Sequence, residues 1–260
     1  MKEVYNVCNK GESLYLDNII RKNYELRTEP VCPFCDVKGR EAYEDFGEGI
    51  IFVKNKYNVL EYTKNYLLIE GDGCDVGLHE RSDEHLLKVL NVAIDKKNEL
   101  LFNNEFEEVV IFKQFGIYSS SSVKHGHVQI VGLDKKKTSD DYLLNSLNGI
   151  VLYDNENFKV ILSENPIGET MEINIEYNQL NLEVIEKLKL VLNYTVNNSY
   201  GVYKGGNYSL SLHIINGIKF IKLVERKITS TFKSNFGLSI INSPKCGIVD
   251  ELKSVLNNNK

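Results

Sequence analysis

Short apolar runs bounded by Gly, Asn and charged residues recur along this chain, and runs of that length with those flanks read as strands. "GIIFVKN" (49–55) and "YLLIEG" (66–71) are the first two, separated by a turn-rich link through Asn55 and Asn58. After Ser82, which is placed to cap a helix, the period lengthens: Leu86, Leu90, Ala93 and Ile94 share one stripe of "SDEHLLKVLNVAIDKKNELLF". Two more strands follow, "EVVIFKQF" (108–115) and "HGHVQIVGL" (125–133), and then a charged loop, "DKKKTSDD" (134–141). The second half repeats the order. "GIVLYD", "FKVILSEN" and "EINIEY" read as strands, and about 180–196 as a helix carrying Leu182, Ile185, Leu188 and Leu192. "YSLSLHII" (208–215) and "IKFIKLVE" (218–225) close the unit as a strand pair. Strand, strand, helix, strand, strand occurring twice, with one further strand opening the second copy, predicts an α+β fold made of a duplicated unit with antiparallel sheet. The charged loop marks the expected boundary, giving domains 1–140 and 141–260. Ahead of the first unit, residues 1–48 show few periodic segments and read as an irregular lead-in around "CPFC".

One strand does not read as core. In "SSSSVKHGHVQIVGL" (119–133), residues i and i+2 share a face, so His125, His127 and Gln129 lie on one side and Val128 and Ile130 on the other. Two of the chain's five histidines sit in this one strand. Two imidazoles and an amide in a row are an unusual way to fill a core, which directs attention to chemistry on that face. The second half has only His213 where the first has this pair, so the first half is expected to do the chemistry and the second to scaffold it. "GVYKGGNYS" (201–209) is glycine-rich but lacks the phosphate-loop spacing and precedes a strand, so it reads as a hairpin or inter-repeat loop.

Charge narrows the partners. With a net charge of −5 and a pI of about 5.7, the chain has no global basic field to attract nucleic acid or an anionic membrane. A phosphate-bearing ligand would have to be held by local donors. The first residues lack the apolar core of a signal peptide, and no apolar run is long enough to span a bilayer, so the protein reads as cytoplasmic. Its five cysteines, Cys8, Cys32, Cys35, Cys74 and Cys246, are odd in number. In a reducing compartment that argues for metal ligands or free thiols rather than a disulfide framework.

"CPFC" places Cys32 and Cys35 at the spacing that lets both thiolates reach one tetrahedral zinc from a tight knuckle. A redox pair is disfavoured, because no thioredoxin-like strand precedes it and no helix starts at Cys32. Two further ligands are needed, and the candidates are Cys74, His79, His85 and His125. His85 lies in the first turn of a surface helix and reads as solvent-facing, while His79 sits in a loop. Cys74 follows a strand directly and is the softer ligand. The expected set is therefore Cys32, Cys35, Cys74 and His125, with His79 as the alternate for Cys74.

Taken in order, "CPFC", "NKYNVL", "IEGDGC" and "FKQFGIYSSSSVKHGHVQI" resemble motifs of the galactose-1-phosphate uridylyltransferase-like family, which groups with ADP-glucose phosphorylase-like enzymes in the histidine-triad superfamily. The resemblance spans residues 28–133, continues more loosely through "SLHIINGIKFIKLVERKITSTFKSNFGLSI", and looks like a short bacterial branch. It implies two tandem histidine-triad-like units, antiparallel sheets with packed helices, the second unit degenerate. It further implies that His125 is a zinc ligand and His127 the nucleophile that takes a nucleoside monophosphate. Gln129 would hydrogen-bond the phosphate of the covalent intermediate, and Ser122 would contact the phosphoryl group. Asn55 is expected near the nucleoside, and Gln114 and Ser121 fall where the family lines the nucleotide. The family's third zinc ligand is a histidine at the position Cys74 matches. The cofactor implied is Zn2+, the partners are a nucleotide sugar and a sugar phosphate or phosphate, and the family's habit is a homodimer.

The chain departs from the pattern at Gly126, where the family has proline, a change expected to loosen the backbone. It departs again at Gln114, where the family has Asn, and at Ser120 and Ser121, where it has glycine or other small residues. Gln129 stands where histidine-triad hydrolases carry a third histidine; an amide donates to phosphate oxygens but is no general acid or base, which favours transfer over hydrolysis. The leading expectation is a zinc-containing nucleotidyltransferase working through a His127 intermediate. A nucleotide hydrolase or phosphorylase, and a zinc-stabilised nucleotide-binding protein with little turnover, are the other two.

Overall fold

A strand that reads as a nearly continuous apolar run has both faces to bury, and the chain meets that demand with one large sheet covered on each side. The computed structural model describes residues 13–16, 32–56, 58, 60, 63–116, 119, 123–134, 140–168, 170–198, 206–225, 230–242 and 254–257. Its strands are β1 (Ser13–Leu16), β2 (Glu44–Asp45), β3 (Ile50–Lys54), β4 (Thr63–Cys74), β5 (Glu108–Phe115), β6 (His125–Leu133), β7 (Gly149–Asp154), β8 (Phe158–Ser163), β9 (Glu172–Tyr177), β10 (Tyr208–Ile215), β11 (Ile218–Glu225) and β12 (Ser239–Asn242). Its helices are α1 (Asp83–Phe102), α2 (Asp140–Asn145), α3 (Leu182–Asn197) and α4 (Thr231–Phe236). β1 and β12 pair in parallel on their own; the other ten strands form one antiparallel sheet in the order β2-β3-β4-β6-β5-β10-β11-β9-β8-β7.

That order is the same read outward in both directions from the β5–β10 junction, whose register runs from Ile111↔Leu212 to Phe115↔Tyr208. β3, β4, β5 and β6 thus correspond to β8, β9, β10 and β11, and the fold consists of two tandem units of the duplicated α+β kind. The correspondence corrects one expectation. His213 lies on β10, the counterpart of β5, so the counterpart of the His-x-His strand is β11, which carries no histidine.

The two long helices start at side-chain caps: the Ser82 hydroxyl accepts from the His85 amide and the Asn181 carbonyl from the Val184 amide. Leu86, Val89, Leu90 and Ala93 of α1 and Val184, Ile185, Leu188 and Leu192 of α3 are buried together with Ile50, Leu68, Val128, Ile130 and Ile221 of the sheet. The helices therefore share one face of it and pack on each other. Leu182, expected on the apolar stripe of α3, is 41% exposed, and Val184 is the residue buried at that end. The opposite face has local covers. Val53, Leu67 and Ile69 lie under the lead-in residue Val37, and Val110, Phe112 and Val131 lie under Phe232 and Phe236 of α4. His127 lies opposite Ile69 in the β4–β6 register, which puts it on this second face, between the two covers. Of the charged loop, residues 135–139 lie outside the described residues, and 140 and 141 open α2. Among the described residues no helix is long and apolar enough to cross a membrane.

Candidate active site

β4 and β6 pair regularly from Thr63↔Leu133 to Ile69↔His127, and then the register shifts before Cys74 meets His125. The extra residues form a bulge over Glu70–Gly73 in which Gly71 (φ 128°) and Gly73 (φ 93°) take up backbone angles that residues with a Cβ rarely adopt. This bulge delivers the Cys74 thiol to the end of β6. From the other side the "CPFC" knuckle, closed by Cys35 N–H donating to Cys32 O at 3.3 Å, brings in two more. The result is a cluster of Cys32, Cys35, Cys74 and His125 whose ligand atoms all lie within 4.8 Å of one another. His125 Nδ1 sits 3.7, 3.5 and 3.6 Å from the sulfurs of Cys32, Cys35 and Cys74. The arrangement can hold a metal ion. His79 is not part of it: its ring lies edge-on to Phe115, with centroids 5.2 Å apart.

The tautomer of His125 follows from its other nitrogen. Nε2 lies 2.9 Å from Gly71 O, a carbonyl that can only accept, so Nε2 carries the proton and Nδ1 turns its lone pair toward the thiols. The thiols crowd one another. Burial would raise Cys32, but hydrogen bonds from the Phe34 backbone and from Cys74 and Cys35 outweigh it and hold that thiol below the ordinary range. Hydrogen bonds to Cys35 and Cys32 push Cys74 up to about 12. Three thiolates this close need a cation between them.

Two residues along β6, the same reasoning gives the opposite tautomer. His127 Nδ1 lies 2.8 Å from His125 O and must donate, which leaves the lone pair on Nε2. Burial, reinforced by the charge on Lys113 and opposed by that hydrogen bond, lowers the His127 pKa to about 4, so the ring is neutral at physiological pH. Gln129 follows on the same face; its Nε2 donates to Gln114 Oε1 at 3.4 Å, and Gln114 Nε2 donates in turn to the Thr231 hydroxyl of α4. Asn55 lies just past the end of β3, its N–H donating to Asn65 O at 2.8 Å; it is four residues on from Ile51, which stands in line with His127 through Ile69 two strands away. Ser121 and Ser122 lie outside the described residues, as do Ser120, Cys8 and Cys246.

Comparison with known proteins agrees with this geometry. Residues 17–136 match the family described as "Domain of unknown function (DUF4931) N-terminal domain". A crystal structure of a DUF4931 family protein from Bacillus cereus ATCC 10987 is 25% identical, with a TM-score of 0.64 over 80% of this chain and 95% of that one. An ADP-glucose phosphorylase from Arabidopsis thaliana with bound ADP-glucose shares the fold at 14% identity and a TM-score of 0.60, over 91% of this chain and 97% of that one. A uridylyltransferase does so at 13% identity and a TM-score of 0.57, over 90% of this chain and 93% of that one. No curated protein matches the chain by sequence. The fold is the one shared by that uridylyltransferase and that ADP-glucose phosphorylase, as the motifs from "CPFC" to "HGHVQI" lead one to expect.

Within residues 17–136, several residues that the sequence passed over or set aside bear on the site. Phe34, between the knuckle cysteines, packs edge-on against the His127 ring at 4.9 Å, so the metal cluster and the second histidine share a wall. His85 is not solvent-facing: its side chain is 12% exposed and its Nε2 donates to Glu70 O at 2.6 Å, pinning the start of the bulge. Glu70 and Lys113 are buried as a pair on the helical face behind β6. A lone charge within each of the apolar runs "YLLIEG" and "VVIFKQF" was the visible signal; which charge each would meet was not.

Proposed function

We propose that this protein is a zinc-containing nucleotidyltransferase of the galactose-1-phosphate uridylyltransferase type, acting through a covalent His127 intermediate. The observation that carries the reading is the pair of opposed tautomers on one strand, with His125 turned by Gly71 O toward three thiols and His127 turned by His125 O to keep its lone pair on Nε2.

The donor set fits the metal. Three sulfurs and one imidazole are a common structural zinc set, and bonds of about 2.1–2.3 Å place tetrahedral ligands about 3.4–3.8 Å apart. The contacts from His125 to the sulfurs and from Cys35 to Cys74 are 3.4–3.7 Å. When bound, zinc would neutralise the thiolates and tie the bulge and knuckle to β6; with four protein ligands it has no position left for water.

The protein's own groups supply the rest. His127 Nε2 attacks the α-phosphorus of a nucleotide sugar, forming a P–N bond while the bond to the bridging oxygen breaks and the sugar 1-phosphate leaves. An incoming phosphate or sugar phosphate then attacks the same phosphorus, the P–N bond breaks, and the imidazole returns neutral. Phe34 and the bond to His125 O hold the ring so that it need not be ordered during the reaction. Gln129, and in the same reading Ser122, donate to the non-bridging oxygens, with Gln114, Ser121 and Asn55 along the nucleotide. Residues 1–140 carry this chemistry and 141–260 support it.

Isotope exchange tests the reading. Labelled glucose 1-phosphate should pass into unlabelled UDP-glucose or ADP-glucose without any second acceptor, and His127→Asn should abolish the exchange. No exchange with any such donor, from folded and metal-loaded protein, would leave a nucleotide-binding protein without turnover.

A further inference from the structure

We propose that Glu70 and Lys113 are positioning residues for the nucleophile strand, and that residue 126 is glycine because the Glu70 carboxylate occupies the place of its side chain; the proposal rests on the nucleotidyltransferase reading. Gly126 separates the metal-facing His125 from His127 and points to the opposite face of β6. A Cβ there would stand 2.7 Å from Glu70 Oε2 and 3.1 Å from Val76 O, closer than side chains pack. Its backbone lies outside the left-handed region, so this glycine provides space rather than conformational freedom.

The carboxylate that fills the space is fully buried, and Lys113 Nζ donates to both its oxygens, at 2.7 and 2.8 Å. Burying such a pair is costly, and apolar residues of the same volume commonly stabilise as well or better. The pair's location gives it another use. Glu70 opens the bulge that carries Cys74, and its backbone carbonyl accepts from His85 while the next one, Gly71 O, accepts from His125. Lys113 precedes Gln114 on β5 and lies beside Val128 in the β5–β6 register. The carboxylate is thus clamped to β5 through its side chain and to the metal loop through its own backbone, with the β6 backbone resting on it midway between the two histidines. Without that stop β6 can slide, and His127 Nε2 loses its aim.

Potassium phosphoramidate tests this without any nucleotide. It transfers its phosphoryl group to a neutral imidazole nitrogen as its own P–N bond breaks and ammonia leaves, and mass spectrometry of peptides at neutral pH locates the product. The charge-free variant Glu70→Ala/Lys113→Met should fold and keep its metal, yet its His127 phosphorylation should slow between about 10- and 100-fold, the scale of a small misplacement. Gly126→Ala should slow it similarly, because the methyl pushes the carboxylate away. The triple variant, in which that methyl enters the vacated space, should recover most of the rate; a purely structural loss would not be reversed by a third substitution. Wild-type rates in folded Glu70→Ala/Lys113→Met would overturn the proposal, as would wild-type protein that takes no phosphoryl group at His127. Should these rates behave as expected while isotope exchange fails, the nucleotidyl reading alone falls.

Discussion

The two halves of the chain lay the same strands in the same order, yet the face that holds His127 in one is filled in the other. Lys222 lies on β11, the counterpart of β6, and the register through Ser211, Phe112 and Gln129 puts it on the face of His127. There it pairs with Glu172 and donates to the Ser146 hydroxyl at 2.7 Å, while Asn174 donates to Ser146 O and to Glu172. Both charged side chains are completely buried. In the first half the same face bears a knuckle with an exposed cysteine and an imidazole whose Nε2 has no partner among the described residues. The sheet is common to both, so it does not choose the chemistry. The covering segment does: the chain just past α2 closes over Lys222 through Ser146, whereas the "CPFC" knuckle brings soft ligands to the first half.

Breaking either half should therefore give different symptoms. The largest effect belongs to His127→Asn, which should lower isotope exchange on the order of 1000-fold or more with little change in thermal stability. Next is metal loss. Cys74→Ser, or chelation, should remove the bound ion and destabilise the fold by several kcal/mol, seen by metal analysis beside thermal unfolding; an unchanged melting temperature after complete removal would break the structural role given to the metal. In the second half, Lys222→Met strands Glu172 in the core, at a cost of about 3–5 kcal/mol, and adding Glu172→Gln should restore much of it. Exchange per folded molecule should stay at the wild-type level in both variants, and its loss would show that the halves do not divide the work as described.

The smallest effect is alkaline. Burial raises the Tyr177 phenol to about 12 in the folded chain, against about 10 when unfolded. The unfolded state therefore loses this proton first, and stability that is complete below pH 10 drains away as pH rises toward 12, by up to about 1 kcal/mol per pH unit. Tyr177→Phe should flatten that part of the curve in chemical denaturation, leaving the metal site untouched.

The strands were legible because their apolar runs end where Gly, Asn or charge intervenes, and the spans of β5, β6 and β11 follow those runs. Both long helices were legible from their periods and from Ser82, although Leu182 misled because the α3 stripe begins two residues later. That Cys32, Cys35, Cys74 and His125, rather than His79, would come together was also open to reasoning from ligand chemistry. What could not be read depends on distant residues meeting. The β1–β12 pair joins residues more than two hundred positions apart. Gly126 read as a loosened backbone, whereas it accommodates a carboxylate from β4. His85 read as exposed, because nothing local shows that a bulged carbonyl comes to rest on its ring.

The central claim is that His127 forms a covalent bond to a nucleoside monophosphate, and intact-protein mass spectrometry under neutral conditions tests it most directly. Metal-loaded wild type and His127→Asn would be incubated briefly with UDP-glucose and with ADP-glucose, then measured without acid, which cleaves P–N bonds. The account predicts a mass increase of one nucleoside monophosphate in the wild type with one of the donors, and none in the variant. An adduct that persists in His127→Asn, or none with either donor while both are bound, would contradict it.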